Sequence, residues 1–308
     1  MLSLSHFIKE DVPSGLRLDR FVSEYLRLLS RSQIKARNLN AKINGKEVKF
    51  SRPVKQGDHL ELQWDDSPPQ VIVPQNIPLE IIYEDERCVV INKPQGMVVH
   101  PGAGNRQGTL ANALCYMKMQ RGGEAGTSTR PGIVHRLDKE TSGVIIAAWD
   151  EEAHAFLSEQ FKSRKVKKTY AAIVLGVPKE KNGRIETFIA RDPKNRKRFA
   201  VCGRGKTALT FYKVVKSWQN YSLLFLRPRT GRTHQLRVHL KFLGHPILGD
   251  PVYGSADKHF PDAALMLHSR DLAITLFGET QERVFSSPLP DRFHAVMGKL
   301  NASGGVNE

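Results

Sequence analysis

Between Leu79 and about Phe293 the chain is a succession of short apolar runs broken by Gly, Pro and Asn turns, and this rhythm constrains the fold more than any other feature. Cys88-Val89-Val90-Ile91, Val144-Ile145-Ile146-Ala147, Tyr170 to Leu175 and Tyr221 to Leu226 are too short for core helices and rich in β-branched and aromatic side chains. Helical spacing appears between some of them, at Glu151 to Phe161 and at His234 to Leu243. Many strands with few helices predict an α+β domain on a mainly antiparallel, mixed sheet. No G-x-G-x-x-G opens a βαβ unit and no P-loop string occurs, so nucleotide-cofactor folds lack support. The longest clean apolar stretch, near Val144 to Trp149, falls far short of the roughly 20 residues a spanning helix needs.

The first 66 residues have a different texture and read as a small α/β module. Leu18, Phe21, Val22, Tyr25 and Leu29 fall at helical spacing within Gly15 to Leu29, and a second short helix carries Gln33, Ile34, Lys35 and Arg37. Asn44-Gly45 is a tight-hairpin signal, because both residues tolerate positive φ. Leu60-Glu61-Leu62-Gln63-Trp64 alternates as a half-buried strand does. Pro68, Pro69, Pro74 and Pro78 mark residues 67–79 as a linker. The large domain then spans 80–293. Residues 294–308 read as a tail, small and polar from Asn301 onward.

Charge narrows the partner. Lys and Arg number 47 against 31 acids, a formal net of +16. The excess is concentrated: nine basic residues and only Glu47 between Arg27 and Lys55, and fifteen against Glu180, Glu186 and Asp192 between Lys162 and Lys206. Two such patches favour a nucleic acid, and neither has the apolar face that a membrane-surface helix requires. Cys88, Cys115 and Cys202 lie far apart and form no C-x-x-C pair, and the opening residues carry no basic region ahead of an apolar run. A reducing, cytoplasmic compartment and a monomer are expected.

Two stretches concentrate chemistry. In Arg130-Pro131-Gly132-Ile133-Val134-His135-Arg136-Leu137-Asp138-Lys139-Glu140-Thr141-Ser142-Gly143, Asp138 sits between two cations in a glycine-bounded loop ahead of an apolar strand. Such a carboxylate can be a nucleophile, a base or a ligand, or can cap a turn and pair with Arg136. In Arg227 to Leu240, Arg232 lies in a turn suited to gripping phosphate, and Arg237 follows one turn into a helix. His234, His239 and His245 are not spaced as metal ligands on one helix face, so no metal is expected.

The string His135-Arg136-Leu137-Asp138-Lys139-Glu140-Thr141-Ser142-Gly143 closely resembles the signature loop of the RluA family of RNA pseudouridine synthases. Asn92 to Pro101, Gly108 to Leu114, Lys168 to Gly176, Gly231 to Leu240 and Gly244 to Gly254 resemble the family's other blocks, in the same order. The N-terminal module resembles the S4 RNA-binding module, although Asn38-Leu39-Asn40-Ala41 stands where that family has a glycine. The resemblance implies a catalytic domain of the pseudouridine synthase fold behind an S4-like domain. It implies isomerisation of uridine in RNA, chiefly 23S ribosomal RNA, without a cofactor. Asp138 would be the nucleophile, acting either at C1′ or through a glycal route. Arg237 would pair with it, Tyr170 would stack on the uracil and assist proton removal at C5, and Leu267 would lie under the base. Arg136 would fill the space of the flipped nucleotide. Arg31, Lys35, Arg37, Lys206 and Arg232 would touch RNA. Transfer RNA is an alternative substrate, and a non-catalytic ribosome-assembly factor or a metal-dependent nuclease are alternative readings.

Overall fold

The computed structural model describes residues 1–29, 31–66, 72–102, 104–122, 131–193, 195 and 198–303; the side chains of Ser32, Lys35 and Ala36 lie outside that description. It divides into two compact units, Met1–Val71 and Ile72–Glu308.

The first unit runs β1 (Leu2–Phe7), α1 (Leu18–Arg20) continuing as a π-turn over Phe21–Tyr25, α2 (Arg31–Ala36), β2 (Asn40–Ile43), β3 (Lys46–Glu47) and β4 (His59–Trp64). The strands pair antiparallel in the order β1-β4-β2-β3. Leu60, Leu62 and Trp64 alternate inward from β4 and meet Leu18, Phe21 and Val22 from the helix. Asn44 and Gly45 both take positive φ, 52° and 77°, as the hairpin requires. The first helix is shorter than the expected Gly15 to Leu29, because the chain turns left-handed at Arg27, φ 49°. Strand β1 has no strong sequence signal of its own; its register against Leu60 and Leu62 defines it.

The second unit comprises β5 (Glu80–Glu84), β6 (Cys88–Lys93), α3 (Leu110–Gln120), β7 (Ser142–Ala148), α4 (Glu151–Lys162), β8 (Lys167–Leu175), β9 (Asn182–Arg191), β10 (Phe199–Cys202), β11 (Lys206–Trp218), β12 (Tyr221–Pro228), α5 (Gln235–Phe242), β13 (Leu267–Thr275), β14 (Glu282–Ser286) and α6 (Asp291–Ala302). Among the described residues the sheet order is β10-β9-β11-β12-β8-β13-β7-β6-β5, with β14 also on β13. Among the described residues only β13 and β7 pair in parallel, through His268 and Ser269, so the α+β, mainly antiparallel expectation holds. The buried core includes Ile91, Ile145, Ala172, Leu224 and Leu226 from the strands, with Leu114, Leu240 and Phe293 from three helices.

Two boundaries move. Residues 294–302 are not tail: α6 covers them, burying Phe293, Val296 and Leu300 at spacings of three and four, and Trp218 Nε1 donates to Asn301 at 2.9 Å. Of the expected linker, 67–71 lies outside the described residues, while 72–79 packs on the second unit. There Ile72 is buried with Ala111 and Cys115, and the Asn112 side-chain amide donates to the Val73 carbonyl at 2.8 Å.

Candidate active site

The Asp138 loop is pinned where it leaves and rejoins the sheet. Gly132, φ 63°, and Gly143, φ 110°, are both left-handed, and a Cβ on either would collide with backbone, of Ala148 and Ser269 respectively. Between them His135 Nε2 accepts the Ile146 N–H at 3.1 Å, and its ring stacks on Phe161 with centroids 4.4 Å apart. Burial pushes His135 down to about 3, which suits a neutral acceptor. Leu137 is buried in the core, and the Thr141 N–H closes a turn on the Asp138 carbonyl. Beneath the loop, the fully buried Lys93 donates to the carbonyls of Pro94, Met97 and Lys139 at 2.8, 2.9 and 3.2 Å.

Opposite lies the start of α5. Gln235, buried, accepts from Thr230 Oγ1 and the Arg232 N–H, and donates to the Leu209 carbonyl and Thr210 Oγ1. This nails the helix to β11 and fixes Arg237. The guanidinium of Arg237 forks onto Asp250 at 2.8 and 2.7 Å, and its remaining arm reaches Asp138 Oδ2 at 3.4 Å. The principal partner of Arg237 is therefore Asp250, and the expected pairing with Asp138 is the longer contact. Burial works against both charges. The Arg237 pairing and the N–H groups of Tyr253 and Val252 still hold Asp250 below the usual carboxylate range, and Asp250 holds Arg237 above its own.

His234, left-handed at φ 56°, places Nε2 3.8 Å from Asp138 Oδ2. Its Nδ1 lies 2.9 Å from Tyr253 Oη, which also accepts the Phe199 N–H at 2.9 Å. Where that hydroxyl gives its own hydrogen to Nδ1, a neutral imidazole carries its proton on Nε2, toward Asp138. Burial lowers the pKa of His234 and favours that neutral form, against the pull of the Asp138 charge.

Asp138, Tyr170, Arg237 and Leu267 line one cavity of about 450 Å³, with Arg136 and Arg232 also on its wall. Tyr170 sits in β8 beside Ser269 of β13. Burial, with the Asp138 charge added, pushes its phenol up to about 12, so it holds its proton at neutral pH. Lys168, one of the wall residues, lies with its ammonium 5.7 Å from the Phe161 ring centroid. Arg232 is at the wall but donates through Nε to the Thr207 carbonyl at 2.9 Å. Lys206 is exposed at the start of β11, outside the cavity. In the first unit Arg31 pairs with Asp19 at 3.0 Å, Arg37 is partly exposed, and Lys35 falls among the undescribed side chains. His239 and His245 do not join His234: His239 bonds Thr210 and Thr187, and His245 the Leu175 carbonyl. Asp250, Tyr253 and Lys93 were not singled out from sequence, although all three stand inside the quoted blocks.

A cavity in which one carboxylate is held by an anchored guanidinium, with a phenol on the same wall, suits covalent or acid-base chemistry. The family model described as RNA pseudouridylate synthase matches residues 87–242, and the chain belongs to that family. It is accordingly an RNA pseudouridine synthase. Over 302 residues it is 45% identical to the ribosomal large subunit pseudouridine synthase D of Borreliella burgdorferi, covering 96% of this chain and 92% of the relative. Identity to the protein of the same name from Zymomonas mobilis is 42% over 250 residues, 79% of this chain and 78% of that one. The solved structure of human RNA pseudouridylate synthase domain containing 4 superposes with a TM-score of 0.59 at 31% identity, covering 72% of this chain and 93% of that one.

Proposed function

We propose that the chain isomerises uridines of large-subunit ribosomal RNA, with Asp138 as its nucleophile. The observation supporting this is the meeting of Asp138, Tyr170, Arg237 and Leu267 at one cavity. The reaction breaks N1–C1′, joins C5 to C1′ and moves the C5 hydrogen out as a proton, so it needs a positioned carboxylate and a base platform and involves no net redox change. Arg237, anchored by Asp250, orients the carboxylate. Tyr170 stacks on the uracil as a neutral phenol, Leu267 lies under the base, and Arg136 occupies the gap left by the flipped nucleotide. No cofactor takes part. The first unit serves as an S4-like RNA-binding module that holds phosphates through Arg37 and Lys35, with Lys206 and Arg232 doing the same near the cavity. The protein works as a cytoplasmic monomer. Ribosomal RNA is favoured over transfer RNA because proteins named as large-subunit enzymes are among its relatives.

The test is tritium release from large-subunit RNA carrying uridine tritiated at C5, with excess chelator present and Asp138→Asn alongside. We expect release by the native chain and a fall of about three orders of magnitude or more in the variant, the scale of losing a nucleophile. RNA retention by the variant should stay within about twofold of native, since one carboxylate contributes little to phosphate-driven affinity. Release from transfer RNA alone would overturn the substrate. Undiminished release by Asp138→Asn would overturn the nucleophile.

A further inference from the structure

The sheet face turned away from the cavity is open beyond α6. Side chains alternate along a strand, and directly paired residues share a face. Leu226 pairs with the cavity-lining Tyr170, so its neighbours Phe225 and Arg227 point the other way. The register carries that reverse face outward: Arg227 opposite Phe211, Phe211 opposite Arg184, and Phe225 opposite Lys213. Phe188 joins it from β9, opposite Thr207. The first turn of α6 reaches the inner part of this face, its Phe293 ring 6.3 Å from that of His268. Farther out Phe188 and Phe211 are left 44% and 37% exposed.

These rings stand among cations. The Arg229 guanidinium lies 6.0 Å from the Phe211 centroid and that of Arg270 4.6 Å from Phe225. Two acids share the area: Glu186, 3.9 Å from Arg184, and Asp271, which accepts from Ser286. Phe211 and Phe225 are diagonal neighbours, about 7–8 Å apart, a step that successive unstacked bases can follow. An apolar protein surface laid here would desolvate the arginines, whereas a polyanion neutralises them. Aromatic platforms interleaved with cations are what sequence-tolerant binding of single strands uses.

We propose that this reverse face binds a single-stranded segment of the RNA substrate away from the target uridine. Bases stack on Phe188, on Phe211 and on the Arg270 guanidinium that covers Phe225, and phosphates lie on Arg184 and Arg227, with Arg229 between this face and the cavity that it also lines. The inference rests on the RNA synthase reading, and its test does not require turnover. The full chain carrying p-benzoylphenylalanine in place of Phe211 is irradiated with a large-subunit ribosomal RNA transcript. The expected result is an RNA adduct mapping to unpaired nucleotides outside the modified stem. No RNA adduct, or an adduct to a second copy of the chain, overturns the proposal. In parallel, Phe188→Ala with Phe211→Ala should lower kcat/KM on the long transcript about tenfold more than on a short stem-loop spanning only the target, the scale of lost base stacking. Equal falls on both RNAs also overturn it. An inactive chain that still forms the adduct would sink the isomerase reading and leave this one standing.

Discussion

Each unit holds an aspartate against arginine, and the two arrangements differ in everything except their chemistry. In the first unit Asp19 takes Arg17 at 3.0 Å and Arg31 at 3.0 Å, but those arginine side chains are 47% and 59% exposed. In the second, Asp250 has no exposed side-chain surface and Arg237 only 5%. Water screens the first pair and its arginines can find solvent again if it breaks. The second has no such retreat, so each charge depends on the other and on the N–H groups of Val252 and Tyr253. On the proposed reading, catalytic positioning is built on the second kind. A guanidinium locked on one carboxylate can present its free arm to another, Asp138, without the entropy of searching for it.

Removing Asp250 should therefore produce the largest effect. Asp250→Ala strands a buried guanidinium and should cost about 3–5 kcal/mol of stability by urea unfolding, with turnover lost as well. Asp138→Asn, which removes a carboxylate 22% exposed from the longer contact, should cost about 1 kcal/mol or less by the same measurement. Similar losses for both would mean that Arg237 is not anchored where its bond lengths indicate.

Lys93 tests the buried side at a second point. Burial pushes its ammonium down from 10.5 to about 7. The unfolded lysine holds its proton throughout that window and the folded one does not. The unfolded state thus binds more protons, and stability rises with pH between about 7 and 10.5. Below that window both states are protonated and the whole penalty is present. Lys93→Met removes the group, so the stability difference, native minus variant, should climb by up to about 1.4 kcal/mol per pH unit across it. A flat difference would show that the lysine is solvated rather than sealed under the Asp138 loop.

The contrast also explains what was legible in the sequence. Strands β6, β7, β8 and β12 were readable because their apolar runs are continuous and almost wholly buried. Asp138 was readable from a local string. Asp250 was not, because nothing near a Gly-Asp-Pro turn reveals that an arginine thirteen residues earlier folds back onto it. The helix α6 carried its signal, Phe293, Val296 and Leu300, but the prolines before it and the small polar residues after it made the segment read as an end. Strand β1 exists through pairing with β4, a long-range fact that no local window contains.

Smaller effects should come from groups that orient without being buried as a pair. Tyr253→Phe removes the hydroxyl that joins Phe199 to His234 and frees the imidazole to exchange tautomers. Turnover should fall about tenfold, a misplacement cost, while RNA retention stays within twofold. An unchanged rate would mean that Asp138 is held by Arg237 alone.

The smallest effect belongs to Asp19, and it makes the sharpest comparison because its one carboxylate between two guanidiniums inverts the one guanidinium between two carboxylates at Arg237. Asp19 also accepts the Arg20 N–H at 3.0 Å, so Asp19→Asn keeps an acceptor there while removing the charge. What remains to be lost is a screened attraction to two mostly solvated arginines. The cost should be about 1 kcal/mol or less and should shrink toward zero as salt is raised to about 1 M, where the screening length falls to about 3 Å. The Asp250 penalty should survive the same salt almost intact, since mobile ions do not enter a buried pair. If Asp19→Asn instead cost as much as Asp250→Ala and ignored salt, exposure of the arginine partners would not be what separates the two units.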